Sequence, residues 1–198
     1  MATKRQIGLR DFHVAPLVQD TTGTIEYGSP IKIPGIISAT MSTERSSESY
    51  YSDDVAEDTF SSFSKLTLEV EVSNLSVEER NLLLGQTTKC GGVMSNKDDA
   101  AQEVGVMFRS KKTNGKFRYV ALFKGKFVEP DESYASESDS LDAKTMTMTF
   151  TALPLANNGN YKLIVDEDGK DVEKIAGGAD KYFKDFFKEM KYTLPAQA

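Results

Sequence analysis

Residues 65–72, KLTLEVEV, place Leu66, Leu68, Val70 and Val72 in alternation with Thr67, Glu69 and Glu71. A period of two puts the sets on opposite faces of a β-strand, one buried and one presenting carboxylates to water. KTMTMTFTA, residues 144–152, repeats the pattern with Met146, Met148, Phe150 and Ala152 inside and Thr145, Thr147, Thr149 and Thr151 outside. Both read as antiparallel strands with one wet face. In EVGVMFRSKKTNGKFRYVALFKGKF, residues 103–127, Asn114-Gly115 lies between two β-rich runs. That dipeptide tolerates the positive φ of a tight turn, so a long hairpin is predicted. YKLIVDEDGKDVEKI, residues 161–175, predicts a second hairpin turning at Asp168-Gly169. A calcium loop is the poorer reading of DEDG. With Gly169 sixth, Ile164 and Ile175 occupy the positions that need Asp and a bidentate Glu.

Helical signals are few. In LSVEERNLLLG, residues 75–85, Ser76 and Glu79 form a capping box and Gly85 closes about two turns, with Val77, Leu83 and Leu84 offered to the core. ADKYFKDFFKEM near the C-terminus sets Tyr182, Phe183, Phe186, Phe187 and Met190 on one stripe. The Gly177-Gly178 pair before it suggests a helical arm over 179–198 that docks on its own sheet or a neighbour's. Residues 41–64, with eight serines and with Tyr50, Tyr51, Phe60 and Phe63 among acids, show little periodicity and read as a long irregular segment. The fold class expected is mainly β: an antiparallel β-sandwich or partial barrel with one short flanking α-helix, long loops and a C-terminal helical arm. The chain, residues 1–198, reads as a single domain with no internal repeat.

Composition narrows the function. At 198 residues and 39% hydrophobic, the chain can bury a substantial core. It shows neither a membrane-length apolar run nor the apolar core of a signal peptide, which makes a cytoplasm the expected place of folding. The one cysteine, Cys90, excludes an intrachain disulfide, and with the one histidine, His13, it cannot make a four-ligand zinc site. Cys90 reads as a small packed thiol near a Gly-Gly turn and His13 as a strand residue. A Cys/His nucleophilic pair is formally open, but nothing in TTKCGGV supports it.

The net charge of -6 argues against a nucleic-acid-coating surface. Charge is also segregated. Residues 109–126 hold seven bases and no acid, whereas 129–142 hold six acids and no base. Opposite patches suit a nucleic-acid surface or head-to-tail contact between copies. Glu69 and Glu71 are spaced like paired acid and base groups, yet such a pair is more often a solvated face. CGG and AGGA match no phosphate-binding loop. No catalytic, metal or cofactor site emerges, leaving a structural or binding role.

The order of several pieces is more specific than any one of them. EYGSPIKIPGIISATMS, YYSDD, LTLEVEVSNLSVEERNLLLG, CGGVMSNKDDAAQEVGVMFRS, GKFRYVALFKGKFVEP, SDSLDAKTMTMTFTALP and NNGNYKL follow one another over most of residues 5–165. In this order they resemble the major tail protein, the tail tube subunit, of long-tailed phages of Gram-positive bacteria. DKYFKDFFKEMKY resembles the aromatic end some members carry, while the hairpin before it fits less well. The resemblance implies a non-enzymatic virion protein without cofactor, assembled in the host bacterial cytoplasm. It implies hexameric rings of the chain stacked around a tape-measure protein, with tail terminator and initiator proteins as partners, no membrane, and a channel for DNA.

In that frame 41–64 and 129–142 become loops reaching neighbouring copies, with Tyr50, Tyr51, Asp53, Asp54, Phe60, Glu129, Asp131 and Glu132 as contact candidates. Arg109, Lys111, Lys112, Lys116 and Arg118 of the basic hairpin are their complement. Glu69, Glu71, Thr145, Thr147, Thr149 and Thr151 are candidates for a lumen face that repels phosphate, with an outward solvated face as the alternative. The rivals are a monomeric β-sandwich adhesion or carbohydrate-binding module, a binder of single-stranded nucleic acid through Phe117, Tyr119 and Phe123, and an enzyme with an unrecognised carboxylate site. The first is disfavoured by the absence of tryptophan.

Overall fold

A computed structural model describes residues 4–52, 55–132 and 144–197. Eleven strands follow in order: β1 (Gln6–Asp20), β2 (Ile25–Tyr27), β3 (Ile31–Lys32), β4 (Ile36–Ser52), β5 (Val55–Val72), β6 (Thr87–Lys89), β7 (Gly92–Met94), β8 (Val104–Lys112), β9 (Phe117–Val128), β10 (Met146–Leu153) and β11 (Lys162–Asp166). Helix α1 (Val77–Leu84) follows β5, and a 3-10 turn (Val172–Lys174) and helix α2 (Ala179–Lys184) follow β11. The main sheet runs β2-β1-β8-β9-β10-β5-β4, with β3 on β1 and β11 on β9, and β6-β7 form a separate pair. Every pairing is antiparallel. The main sheet is not closed, which agrees with the partial-barrel form of the expected fold.

The burial pattern of each strand follows from what covers its faces. In β5 and β10, Leu66, Leu68, Val70, Val72, Met148, Phe150 and Ala152 are buried, as the alternation predicts, and the residues between them are not. These side chains meet Phe12 and Val14 of β1 and Val104, Val106 and Phe108 of β8 in one cluster. The sheet therefore curls around its own inner face. Leu83 and Leu84 of α1 join that cluster, and α1 carries the predicted capping box, with Gly85 left-handed at its end.

Strands β8 and β9 differ because both their faces are covered. On the outer face Ala15, Met107, Tyr119, Ala121 and Phe123 form a second cluster with Phe183, Phe186 and Met190 of the C-terminal arm. This explains why VGVMF and YVALF read as continuous apolar runs and not as alternation. The arm docks on its own sheet. Its helix, Ala179–Lys184, is shorter than the 179–198 span expected, and the chain beyond it returns to pair Gln197 with Ile175.

Three expectations need correction. Residues 41–52 and 55–64 are strand, not an irregular segment: β4 and β5 pair from Ile36↔Val72 to Ser52↔Val55. Its serines and threonines accept an extended backbone, and apart from Met41 and Phe63 its described side chains are exposed, so nothing imposes an apolar alternation. The second predicted hairpin does not form. β11 pairs with β9, and after the turn at Asp168-Gly169 a left-handed Asp171 leads into the 3-10 turn and buries Ile175. Cys90 is exposed, not packed, at the tip of the β6-β7 turn where it and Gly91 both have positive φ. His13 does lie in β1, stacked on Phe187 at 4.7 Å. The predicted turn at Asn114-Gly115 joins β8 and β9, with Gly115 at φ 82.

Gly105 marks the seat of the arm. A Cβ there would lie 2.7 Å from Met190 Cε and 2.9 Å from the Phe123 carbonyl oxygen, and the backbone atom cannot yield. Gly105→Val is expected to lower stability by roughly 1–3 kcal/mol through overpacking. Urea unfolding should show the loss, and limited proteolysis should cut the arm first; an arm as protected as in the parent would contradict this seating.

Candidate assembly surfaces

The lumen-face candidates come together. Cross-strand partners share a face, and the register sets Thr149 beside Glu69 and Glu69 beside Thr40. The next row is Thr147, Glu71 and Ser38, and on the other side Thr151, Thr67 and Ser42. Glu71 is held on both oxygens: Ser38 Oγ donates to Oε2 at 3.0 Å and Thr145 Oγ1 to Oε1 at 2.9 Å. Glu69 is exposed between hydroxyls. Strand β9 adds what the sequence reading left out, with Val128 beside Thr149 and Lys126 beside Thr151. The face thus grades from lysine on β9, through hydroxyls on β10, to carboxylates on β5.

The β4-β5 pair outgrows its neighbours. β10 covers β5 only from Val72 to Leu66, so Val55–Lys65 extends past the last β10 partner by roughly 35 Å at the usual rise per strand residue. Where this ribbon leaves the sheet the register slips, from Glu44↔Lys65 to Arg45↔Phe63, leaving Ser64 as the extra residue of a bulge. The slip turns Phe63 inward, where it stacks on Tyr161 at 4.2 Å and packs against the inner cluster. Beyond it Ser46 and Ser62 share a hydrogen bond of 2.6 Å across an exposed ribbon. Tyr50 pairs with Asp58, Tyr51 with Ala56 and Phe60 with Glu48 through the backbone register. Asp53 and Asp54 lie outside the described residues. β4 is the last strand of the sheet, and its outer edge has no partner strand among the described residues.

The basic hairpin is less free than its sequence suggests. Arg109 Nε donates to Asp11 Oδ2 at 2.7 Å and its guanidinium lies 4.4 Å over the Phe117 ring. Arg118 makes a two-pronged pair with Asp166 at 2.7 and 2.8 Å. Lys112, buried, reaches Asp168 at 2.5 Å and Asp166 at 2.9 Å. Asp168 also takes Lys4 at 2.5 Å and Asn114 Nδ2 at 2.8 Å, tying the N-terminal segment to the hairpin turn. Lys111 and Lys116 enter no ion pair with a described residue. The stem of the acidic run is engaged within the chain as well. Gln86 Nε2 donates to Glu129 at 2.7 Å, and Arg80 pairs with Glu132, while Asp131 is exposed. Residues 133–142 of that run lie outside the described residues.

Sequence reading missed the four aspartates that neutralise these cations. Asp11, Asp20, Asp166 and Asp168 are distant in sequence from their partners, and only strand pairing brings them together. Asp20 receives Lys124 Nζ at 2.9 Å and the Ala156 amide at 3.0 Å. No group of three potential metal ligands is clustered among the described residues.

An open antiparallel sheet, a hairpin standing clear of it and polar faces locked by ion pairs are features of a structural subunit. A family model for phage tail tube protein matches residues 3–193. The match spans nearly the whole chain, and the chain belongs to that family: it is a structural protein of a phage tail. No curated protein matches it.

Hydrogen bonds from Lys112 and Lys4 hold the Asp168 carboxyl well below the usual carboxylate range, and Arg118 lowers Asp166. Because the folded values lie below the unfolded value of about 3.9, these groups stabilise the fold fully above about pH 5 and progressively less as pH falls toward their folded values. The urea midpoint should therefore drop on acidification. Asp168→Asn should lower it at pH 7 and flatten its decline below pH 5; an unchanged slope would show that Asp168 is not part of the acid response.

Proposed function

We propose that this chain is the major tail tube subunit, closing into hexameric rings that stack around a tape-measure protein and leave a channel for DNA. The observation that carries the reading is the β4-β5 ribbon. A two-stranded ribbon alone is marginally stable in water, and this one extends past its sheet, with the side chains of 42–47, 61 and 62 exposed. Contact with another copy would supply the missing burial, and the open edge of β4 suits strand addition. A ring needs one patch to meet a different patch on the next copy, and stacking repeats such contacts along an axis.

The Thr-Glu face of β10, β5 and β4 is the wall we assign to the channel. Its fixed carboxylates repel phosphate, while the hydroxyls offer only short-range contacts, so a polyanion slides with little adhesion. Lys126 at its margin belongs near a subunit boundary in this reading. Tail terminator and initiator proteins would meet the two ends of the stack, and assembly would take place in the host cytoplasm. The role is non-enzymatic and needs no cofactor.

Negative-stain microscopy with light scattering over a concentration series should show six-fold rings or tubes. Deleting 46–58, the outer ribbon, should leave a soluble folded chain that no longer grows tubes. Normal polymerisation of the deletion variant would remove the ribbon from the assembly contacts.

A further inference from the structure

The two ends of strand β9 carry opposite charge. Before it, Asn114-Gly115 turns the β8-β9 hairpin, and the N-terminal segment is tied to that turn. The Thr113 amide donates to the Arg5 carbonyl at 2.9 Å, and the Arg5 amide donates to Thr113 Oγ1 at 3.3 Å. Arg5, Lys111 and Lys116 gather there, and none is in an ion pair with a described residue. Glu167, which borders the same cavity as Lys116, offsets one of the three. Asp166 and Asp168 are held by Lys4, Lys112 and Arg118 and so add no net negative charge. Between Gln6 and Gly8 the pairing with β8 slips, and Ile7, the extra residue, is 61% exposed. The hairpin tip is thus basic, with an aliphatic side chain beside its charges.

Beyond Val128, at the other end, a notch of about 630 Å³ is lined by Arg80, Val93, Ser95 and the stem 129–132. Arg80 is the one base of this lining, against Glu129, Asp131 and Glu132. Buried Gln86 fixes its form, with Nε2 donating to Ser95 Oγ at 2.8 Å and to Glu129 Oε1 at 2.7 Å. Val93, partly exposed, supplies an apolar wall. The run that follows, 133–142, brings three more acids and no base, so it cannot cancel this charge.

Strand β9 has twelve residues, so roughly 40 Å separates tip and notch at the usual rise per residue. Complementary groups so far apart cannot meet within one copy. We propose that the basic tip of the β8-β9 hairpin seats in the acidic notch of a second copy, a head-to-tail contact that joins one ring to the next. Arg5, Lys111 and Lys116 bring cations to Glu129 and Asp131, and Ile7 offers Val93 an aliphatic partner. Joining opposite ends of one strand shifts each copy along that strand. The contact then repeats as an open line, as a stack requires, and not as a closed ring. The inference rests on the stacked assembly proposed above and names the residues of its axial contact.

Charge reversal tests it in the full-length chain. Lys111→Glu with Lys116→Glu makes the tip acidic, and Glu129→Lys with Asp131→Lys makes the notch basic. Each pair of changes should leave six-fold rings in negative stain while tubes need about tenfold more protein than the parent, since like charges now meet across the contact. All four changes in one chain should restore tube growth, because an acidic tip again meets a basic notch. Circular dichroism and urea midpoints matching the parent establish that the variants fold. Should the notch pair fail that check, Asp131→Lys alone, at an exposed side chain, must still lower tube yield. If either single-site variant stacks as readily as the parent, or the fourfold variant does no better than its halves, the tip-to-notch contact is wrong while stacking by the parent stands. A parent chain that never forms tubes at any concentration overturns the stacked assembly and this contact with it.

Discussion

The architecture depends on burying both faces of β8 and β9. Their inner face closes the curled sheet over Val104, Val106 and Leu122, and their outer face needs the C-terminal arm to cover Met107, Tyr119 and Phe123. A strand pair so enclosed has no wet side, so polar groups at its ends must be neutralised within the chain. Lys112, Arg109 and Arg118 meet that demand through Asp11, Asp166 and Asp168. The charge segregation visible along the sequence is thus partly cancelled in space, and what remains outward is carried by few residues.

Away from that enclosed centre the same sheet becomes an open surface. β10, β5 and β4 keep their inner face in the core and leave the other to hydroxyls and carboxylates. Beyond Phe63, the last β5 residue described as packed on that cluster, Ser62 and Ser61 are exposed. One continuous strand, β5, passes from a half-buried wall to a solvated projection, and the change coincides with the bulge at Ser64. Stability is concentrated in the body and contact capacity at the margin, a division suited to a tail tube subunit.

Legibility in the sequence followed the same division. Strands β5 and β10 were readable because one covered face imposes a period of two, and α1 because Ser76, Glu79 and Gly85 are local signals. The Asn114-Gly115 turn was readable for the same reason. The β4-β5 ribbon was not, since the exposed polar side chains of its described part leave no periodic trace, and its serines and acids look like loop. The partner of β11 was hidden because strand pairing is decided by tertiary contact and not by the turn that follows. Thr147, Thr149, Glu69 and Glu71 were found by alternation, whereas the aspartates that quiet the basic hairpin had no local signature. Lys111, Lys116 and Lys126 enter no ion pair with a described residue and carry what is left of that run as outward charge.

The Ser64 bulge fixes how the ribbon's reach can vary. Past it each added residue exchanges the two sides of a strand, so a one-residue insertion presents the wrong side chains to whatever the ribbon touches. Paired two-residue additions on β4 and β5 preserve the sides and lengthen the ribbon by about 7 Å. Reach is in this sense quantised, and related tubes with different subunit spacing should carry ribbons that differ by even numbers of residues in each strand.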